Sequence, residues 1–221
     1  MPLFGELDVY RDTAPHGAAL NMAIDEALLE RVRIPAFRFY RWQHPALSLG
    51  YFGKFAVVAQ YAAQRDLVRR WTGGGTVFHG EDLTYSIVIP SSVEGLPNAS
   101  RAVYAAVHEA LRKAIEDAGN PAELATTEST RVSDSCFANP VVADVMSGNR
   151  KVAGAAHRRT RAGLLHQGSI QNVSLSDDLI SAFVRHLSPK PRAIPLDREV
   201  IERADQIAAE RYATNAWLRR W

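Results

Sequence analysis

RRWTGGGTVFHGEDLTYS, residues 69–86, sets three consecutive glycines between two segments rich in strand-forming side chains. Without a Cβ, Gly73, Gly74 and Gly75 can take positive φ angles and bring the main chain close to a ligand, with N–H groups facing an anion or a carbonyl. A flexible hairpin turn would use the same residues. The run lacks both the GxxxxGK[ST] of a P-loop and the GxGxxG of a dinucleotide fold, so it belongs to neither of those phosphate cradles.

Working outward, LVRRW (67–71) and TVF (76–78) read as strands, and LTYSIVIP (83–90) is a β-branched strand stopped by Pro90. Upstream, Leu20, Ile24, Leu28 and Val32 recur every four residues across 17–33, with Asp25, Glu26 and Glu30 between them. This predicts an amphipathic helix ending before Pro35. AFRFYRW (36–42) and ALSLG (46–50) follow as strands. Downstream, Ser100 is placed to cap a helix bearing Val103, Val107, Leu111 and Ile115 and closed by Gly119. RKVAGAA (150–156) and GLLHQGSI (163–170) predict two antiparallel strands joined by the basic HRRTRA, with helices at 176–187 and 197–211. The mixed order predicts an α+β fold, a mostly antiparallel mixed sheet flanked by helices, as one catalytic domain over 1–221.

The bulk numbers narrow the function classes. Twenty-six basic against 24 acidic residues give a net charge of +2, without the basic excess that phosphate-backbone binding leaves in composition. No nucleic-acid or membrane partner is expected, since no apolar stretch reaches spanning length. One cysteine, Cys136, in 221 residues fits a reducing compartment, the cytoplasm. No His/Cys cluster occurs at ligand spacing among the seven histidines, so no metal site is expected. Arg158, Arg159 and Arg161 suit a solvated face or an acidic partner surface.

RRWTGGGTVFH resembles the signature of the lipoate-protein ligase and octanoyltransferase family, in which an Arg-Arg pair precedes Ser/Thr-Gly-Gly-Gly and a His closes the run. NMAIDEALL (21–29), RFYRWQHPALSLGYF (38–52), DLTYSIVIP (82–90) and NRKVAGAAHRRTRAGLLHQGS (149–169) fall in the family's order, so the resemblance covers about residues 20–175. It implies the biotin/lipoate protein ligase catalytic fold, although the GRGRxGR-type loop of biotin ligases is missing. It also implies that the glycine loop lines an acyl tunnel and that Lys151 reaches the acyl carbonyl. Arg70, Thr72, Gly73, Gly74, Gly75, His79, Gly154 and Ala155 then become candidate substrate-binding residues. His166 reads instead as a structural group of the sheet.

One branch of the family, the cysteine-dependent octanoyltransferases, places a Cys-Phe with a nearby Pro before the Lys-Val-Gly segment. Cys136, Phe137 and Pro140 stand in that order before Lys151. On that resemblance Cys136 and Lys151 are the catalytic pair. An acyl group would pass from acyl carrier protein to Cys136, then to a lysine of a lipoyl domain or glycine-cleavage H protein, with no cofactor. The alternative is an ATP- and Mg²⁺-dependent lipoate ligase working through an acyl-adenylate. A further alternative is a non-catalytic binder of lipoyl or acyl carrier domains. The full glycine triplet favours the ligase. The fifty or so residues after the 150–170 segment leave no room for the C-terminal accessory domain of larger ligases, which favours the transferase. Either way the acyl substrate is octanoate or lipoate, and a monomer is expected. Trp71 within RRWTGGG and Asn139-Pro140 after Cys136-Phe137 depart from both patterns.

Overall fold

The computed structural model describes residues 2–97, 99–128 and 136–221, with Cys136 described by its main chain alone. The chain opens with β1 (Leu7–Arg11), α1 (Ala18–Arg31), β2 (Ala36–Tyr40) and β3 (Ala46–Leu49). It continues through β4 (Asp66–Arg69), β5 (Val77–His79), β6 (Leu83–Pro90) and α2 (Ser100–Asp117). After β7 (Glu123–Leu124) come β8 (Val145–Ser147), β9 (Arg150–Arg159) and β10 (Gly163–Ile170). The last elements are α3 (Asp177–Leu187), β11 (Pro191–Ile194), α4 (Arg198–Ile207) and α5 (Asn215–Leu218).

Eight strands pair in the order β11-β1-β2-β6-β10-β9-β8-β7, and β4-β3-β5 form a separate small sheet. Only the β11-β1 and β1-β2 pairings of the large sheet are parallel, so the mostly antiparallel mixed sheet expected from the sequence is the one found. Its centre, β6 and β10, is buried along its whole length, as two β-branched and apolar runs covered on both faces require. On one face α2 and α3 enclose Phe37, Tyr85, Leu111 and Phe183. On the other α1 and α4 enclose Ile24, Leu28, Leu165 and Val200. Among the described residues no helix is long and apolar enough to cross a membrane.

The structure corrects several local readings. Asp25 and Glu26 of α1 do not face water: Asp25 points onto the large sheet, and the turn after α4 (208–212) covers Glu26. Asp25 is buried against the Arg38 guanidinium at 2.8 Å, and Glu26 accepts from Arg211 and from the Tyr212 hydroxyl at 2.7 Å. Two of the three acids that lie between the apolar positions of the expected amphipathic helix are thus paired interior charges. Ser100 does not cap α2; Ala99 holds the cap position and Ser100 is the first helical residue. The basic linker after residue 156 is partly strand, since β9 runs on to Arg159. Arg158 is half-buried there, its guanidinium over the Tyr51 and Trp71 rings, while Arg159 and Arg161 are exposed.

Three histidines pack under α2, around Tyr104 and Tyr85. His108 Nδ1 donates to the Ala143 carbonyl at 2.6 Å, and the Tyr85 hydroxyl lies 3.3 Å from His166 Nε2. Burial lowers the proton affinity of His108 to a pKa of about 4, and lowers those of His166 and His157 as well. The unfolded chain therefore takes up these protons first. Stability present above the ordinary histidine value of 6.5 should be lost as pH falls toward about 4. A melting temperature that stays level across that window would contradict neutral, buried imidazoles.

Candidate active site

The glycine run spans the gap between the small sheet and β9. Of the three glycines only Gly74 has a positive φ, at 84°, so only there does the backbone itself demand glycine. The other requirement comes from Gly50: a Cβ at that residue would stand 2.0 Å from the Gly74 carbonyl oxygen. The two backbones touch where neither has a side chain. Arg70 clamps the loop, donating to the Gly73 and Gly75 carbonyls at 3.0 and 2.8 Å and to the Ser48 carbonyl at 2.9 Å. Thr72 is fully buried and donates its hydroxyl to Gln167 Oε1 at 2.8 Å, while Gln167 Nε2 donates to Asp25 at 2.7 Å.

Lys151 lies on β9, just after the tight Gly148-Asn149 turn that joins it to β8. Its ammonium is buried and 2.7 Å from Asp144 Oδ2. Asp144 also accepts from the Tyr104 hydroxyl at 2.5 Å and from the Val141 N–H at 2.7 Å. Burial, then the neighbouring Asp144, raises the Tyr104 phenol, which stays a proton donor. Tyr104 in turn accepts from the Ala155 N–H at 3.2 Å, tying the acidic partner to the strand that carries the lysine. Gly154 supplies the space: a Cβ there would lie 2.6 Å from Lys151 Nζ. The lysine head thus lies across a bare stretch of main chain.

Phe137 approaches from the other side, with Lys151 Nζ 5.5 Å from its ring centroid. Phe137 belongs to a single helical turn, Cys136–Ala138, that packs against β9. The main chain of Cys136 is therefore one residue from the aromatic ring facing the ammonium. The Cys136 side chain lies outside the described residues.

Between the two sheets lies a narrow, partly open cavity. Met22, Tyr40, Trp42 and Val77 give it apolar walls, and Gly74, Gly154 and Ala155 line it with main chain. Arg70 and His79 line it too, whereas Thr72 and Gly73 do not, and Gly75 lines an outer groove with Phe52 and Lys54. His79 is stacked on Trp42 at 4.1 Å, donates through Nδ1 to Asp82 at 2.7 Å, and has Nε2 2.7 Å from the Ser48 hydroxyl. Burial would raise the Asp82 carboxyl, but His79 beside it and the hydrogen bonds from Ser169 and the Gly80 N–H hold it below the ordinary carboxylate range. An ionised Asp82 accepts only, which fixes the proton on His79 Nδ1. No group of three or more potential metal ligands occurs among the described residues.

Sequence reading missed Asp144, Tyr104, Ser48 and Gln167 as members of this site. The motif LLHQGSI carried Gln167 as strand chemistry, and Asp144 sits in an unremarkable VVADV segment.

The apolar slot is roofed by a glycine loop, and Lys151, which does not itself line it, sets a buried ammonium beside Gly154, which does; such an arrangement suits an enzyme that handles acyl chains. A family model of the lipoyl protein ligase A/B catalytic domain matches residues 17–204, and the chain belongs to that family. It is similar to octanoyltransferase LipM of Oceanobacillus iheyensis, at 35% identity over 213 residues, covering 91% of this chain and 76% of the relative. It is likewise similar to octanoyltransferase LipM of Moorella thermoacetica, at 33% identity, covering 78% of this chain and 67% of that one. Among solved structures, a lipoate-protein ligase A bound with ATP superposes with a TM-score of 0.76 at 21% identity, covering 99% of both chains. A chain from the structural analysis of a bipartite lipoate protein ligase and its E2 lipoyl domain from Thermoplasma acidophilum gives 0.71 at 18% identity, covering 98% of this chain and 96% of that one. At these identities the structures establish the fold alone. The family and its relatives identify the chain as an enzyme that transfers octanoyl or lipoyl groups.

Proposed function

We propose that the chain moves an octanoyl group from an acyl carrier protein to a lysine of a lipoyl domain or glycine-cleavage H protein, through a thioester on Cys136. The observation that carries this reading is the Lys151 ammonium, held by Asp144 over bare Gly154, one residue's reach from the turn that bears Cys136.

The Cys136 thiolate attacks the donor thioester carbonyl, an oxyanion forms, and the donor's thiolate leaves. The acceptor amine then attacks the new thioester, loses a proton, and expels the Cys136 thiolate as the amide forms. Both steps build negative charge on one carbonyl oxygen, which an ammonium already fixed in a dry site stabilises without reorganising. The same positive charge favours the thiolate over the thiol. Thr72 and Arg70 hold the glycine loop, and Gly74, His79 and Ala155 form the slot for the chain. Exchange of thioester for amide needs no nucleotide. The single thiol in 221 residues supports the cytoplasm as its compartment, and the reading takes a monomer as the working unit.

The third glycine, Gly75, favours a second reading: an ATP- and Mg²⁺-dependent lipoate ligase. One experiment separates the two. Octanoyl-acyl carrier protein is incubated with the enzyme without ATP and examined by intact-protein mass spectrometry. A hydroxylamine-labile octanoyl adduct that is absent in Cys136→Ala, followed by octanoylation of a lipoyl domain, is the expected result. Product formed only with ATP, with Cys136→Ala still active, would overturn it. Carrier binding without modification under either condition would identify a non-catalytic binder.

A further inference from the structure

We propose that two hydrogen-bonded bridges between the sheets, flanking the cavity, set its width and make the enzyme select unbranched acyl chains. The proposal rests on the reading that this cavity holds the acyl group. The slot lies between two separately paired sheets, and its breadth depends on what ties one to the other across the gap.

The first bridge runs from the glycine loop to the large sheet and on to α1: Thr72 donates to Gln167 at 2.8 Å and Gln167 to Asp25 at 2.7 Å. The second runs from β3 through β5 to β10: Ser48 to His79 at 2.7 Å, His79 to Asp82 at 2.7 Å, and Ser169 to the same Asp82 oxygen at 2.7 Å. Gln167 and Ser169 stand two residues apart on one face of β10, so the bridges cross the gap about 7 Å from each other. Gln167, Ser169, Ser48 and His79 all line the cavity.

Both carboxylates that anchor the bridges are buried and already gather other donors. Asp25 also accepts from Arg38, Tyr40 and Ser86, and Asp82 from Thr84 and the Gly80 N–H. To spread the walls, a bridge must break and leave a buried polar atom without a partner, which resists widening. An extended alkyl chain passes between such walls. A methyl branch adds width at one level, where neither wall yields.

The test compares octanoyl with its methyl-branched isomers, equal in carbon number and different only in width. Transfer from the same carrier protein is measured as kcat/KM, and affinity for the corresponding free fatty acids is measured without turnover. The wild-type enzyme should prefer the unbranched chain by about tenfold or more in both measurements, the scale on which one misplaced methyl group is discriminated. Thr72→Val, which keeps the side chain's shape and removes its hydroxyl, should cut that preference several-fold, and so should Ser48→Ala from the other bridge. Equal handling of straight and branched chains by the wild-type protein overturns the proposal, as does an unchanged preference in both variants. If octanoate is bound selectively but no acyl group is transferred, the width gauge stands and the transferase reading fails.

Discussion

Lys151→Met should lower kcat for acyl transfer by about two to three orders of magnitude, the loss seen when one preorganised oxyanion donor is removed. KM for the acyl donor should change far less if, as proposed, the slot and not the ammonium holds the chain. The substitution also strips a buried carboxylate of its counter-charge. Removing one partner of a buried ion pair costs about 3–5 kcal/mol. Asp144 keeps the Tyr104 hydroxyl and the Val141 N–H, which places the expected loss at the low end. The double variant Lys151→Met/Asp144→Asn removes both charges and should recover much of the stability and none of the rate. Urea unfolding and steady-state kinetics on the two proteins make the check. A single variant that keeps its kcat within a few-fold would remove Lys151 from the chemistry.

Gly154→Ala should cost about a hundredfold in kcat, the order of loss that follows a catalytic group displaced by an ångström. The added methyl would stand 2.4 Å from Lys151 Cε, 2.6 Å from Nζ and 3.3 Å from Asp144 Oδ1. The backbone at residue 154 lies in an ordinary strand conformation, so alanine brings no conformational strain. What must give way is the far end of a long flexible side chain. The lysine head is therefore expected to swing off its carboxylate while the melting temperature falls only slightly. Normal turnover in Gly154→Ala would mean that the ammonium can work from elsewhere.

The central strands and long helices were legible because each carries its own local pattern: LTYSIVIP and GLLHQGSI read as strands, and Val103 to Ile115 as one helix face. The strands β1, β7, β8 and β11, at or next to the sheet's two edges, were not, because short segments such as Pro191–Ile194 have weak alternation and owe their pairing to distant neighbours. The polar side of α1 misled for a related reason. Nothing near Asp25 in sequence shows that Arg38, Ser86 and Gln167 will converge on it. At the site, the glycine loop and Lys151 were readable as contiguous motifs. Asp144 and Tyr104 act through a bond spanning forty residues, and Gln167 through one spanning 142, distances at which local pattern carries no signal.

Arg69 adds one more consequence. Its fully buried guanidinium gathers the carbonyls of Trp217 and Leu218 with those of Tyr51 and Gly53, while the Trp217 indole returns a hydrogen bond to the Arg69 carbonyl at 2.9 Å. Arg69 immediately precedes Arg70, the clamp on the glycine loop. Residues 217 and 218 are thereby wired to the roof of the slot through a pair of adjacent arginines. A fluorinated indole at position 217 would sense, from outside the cavity, whether that roof is seated.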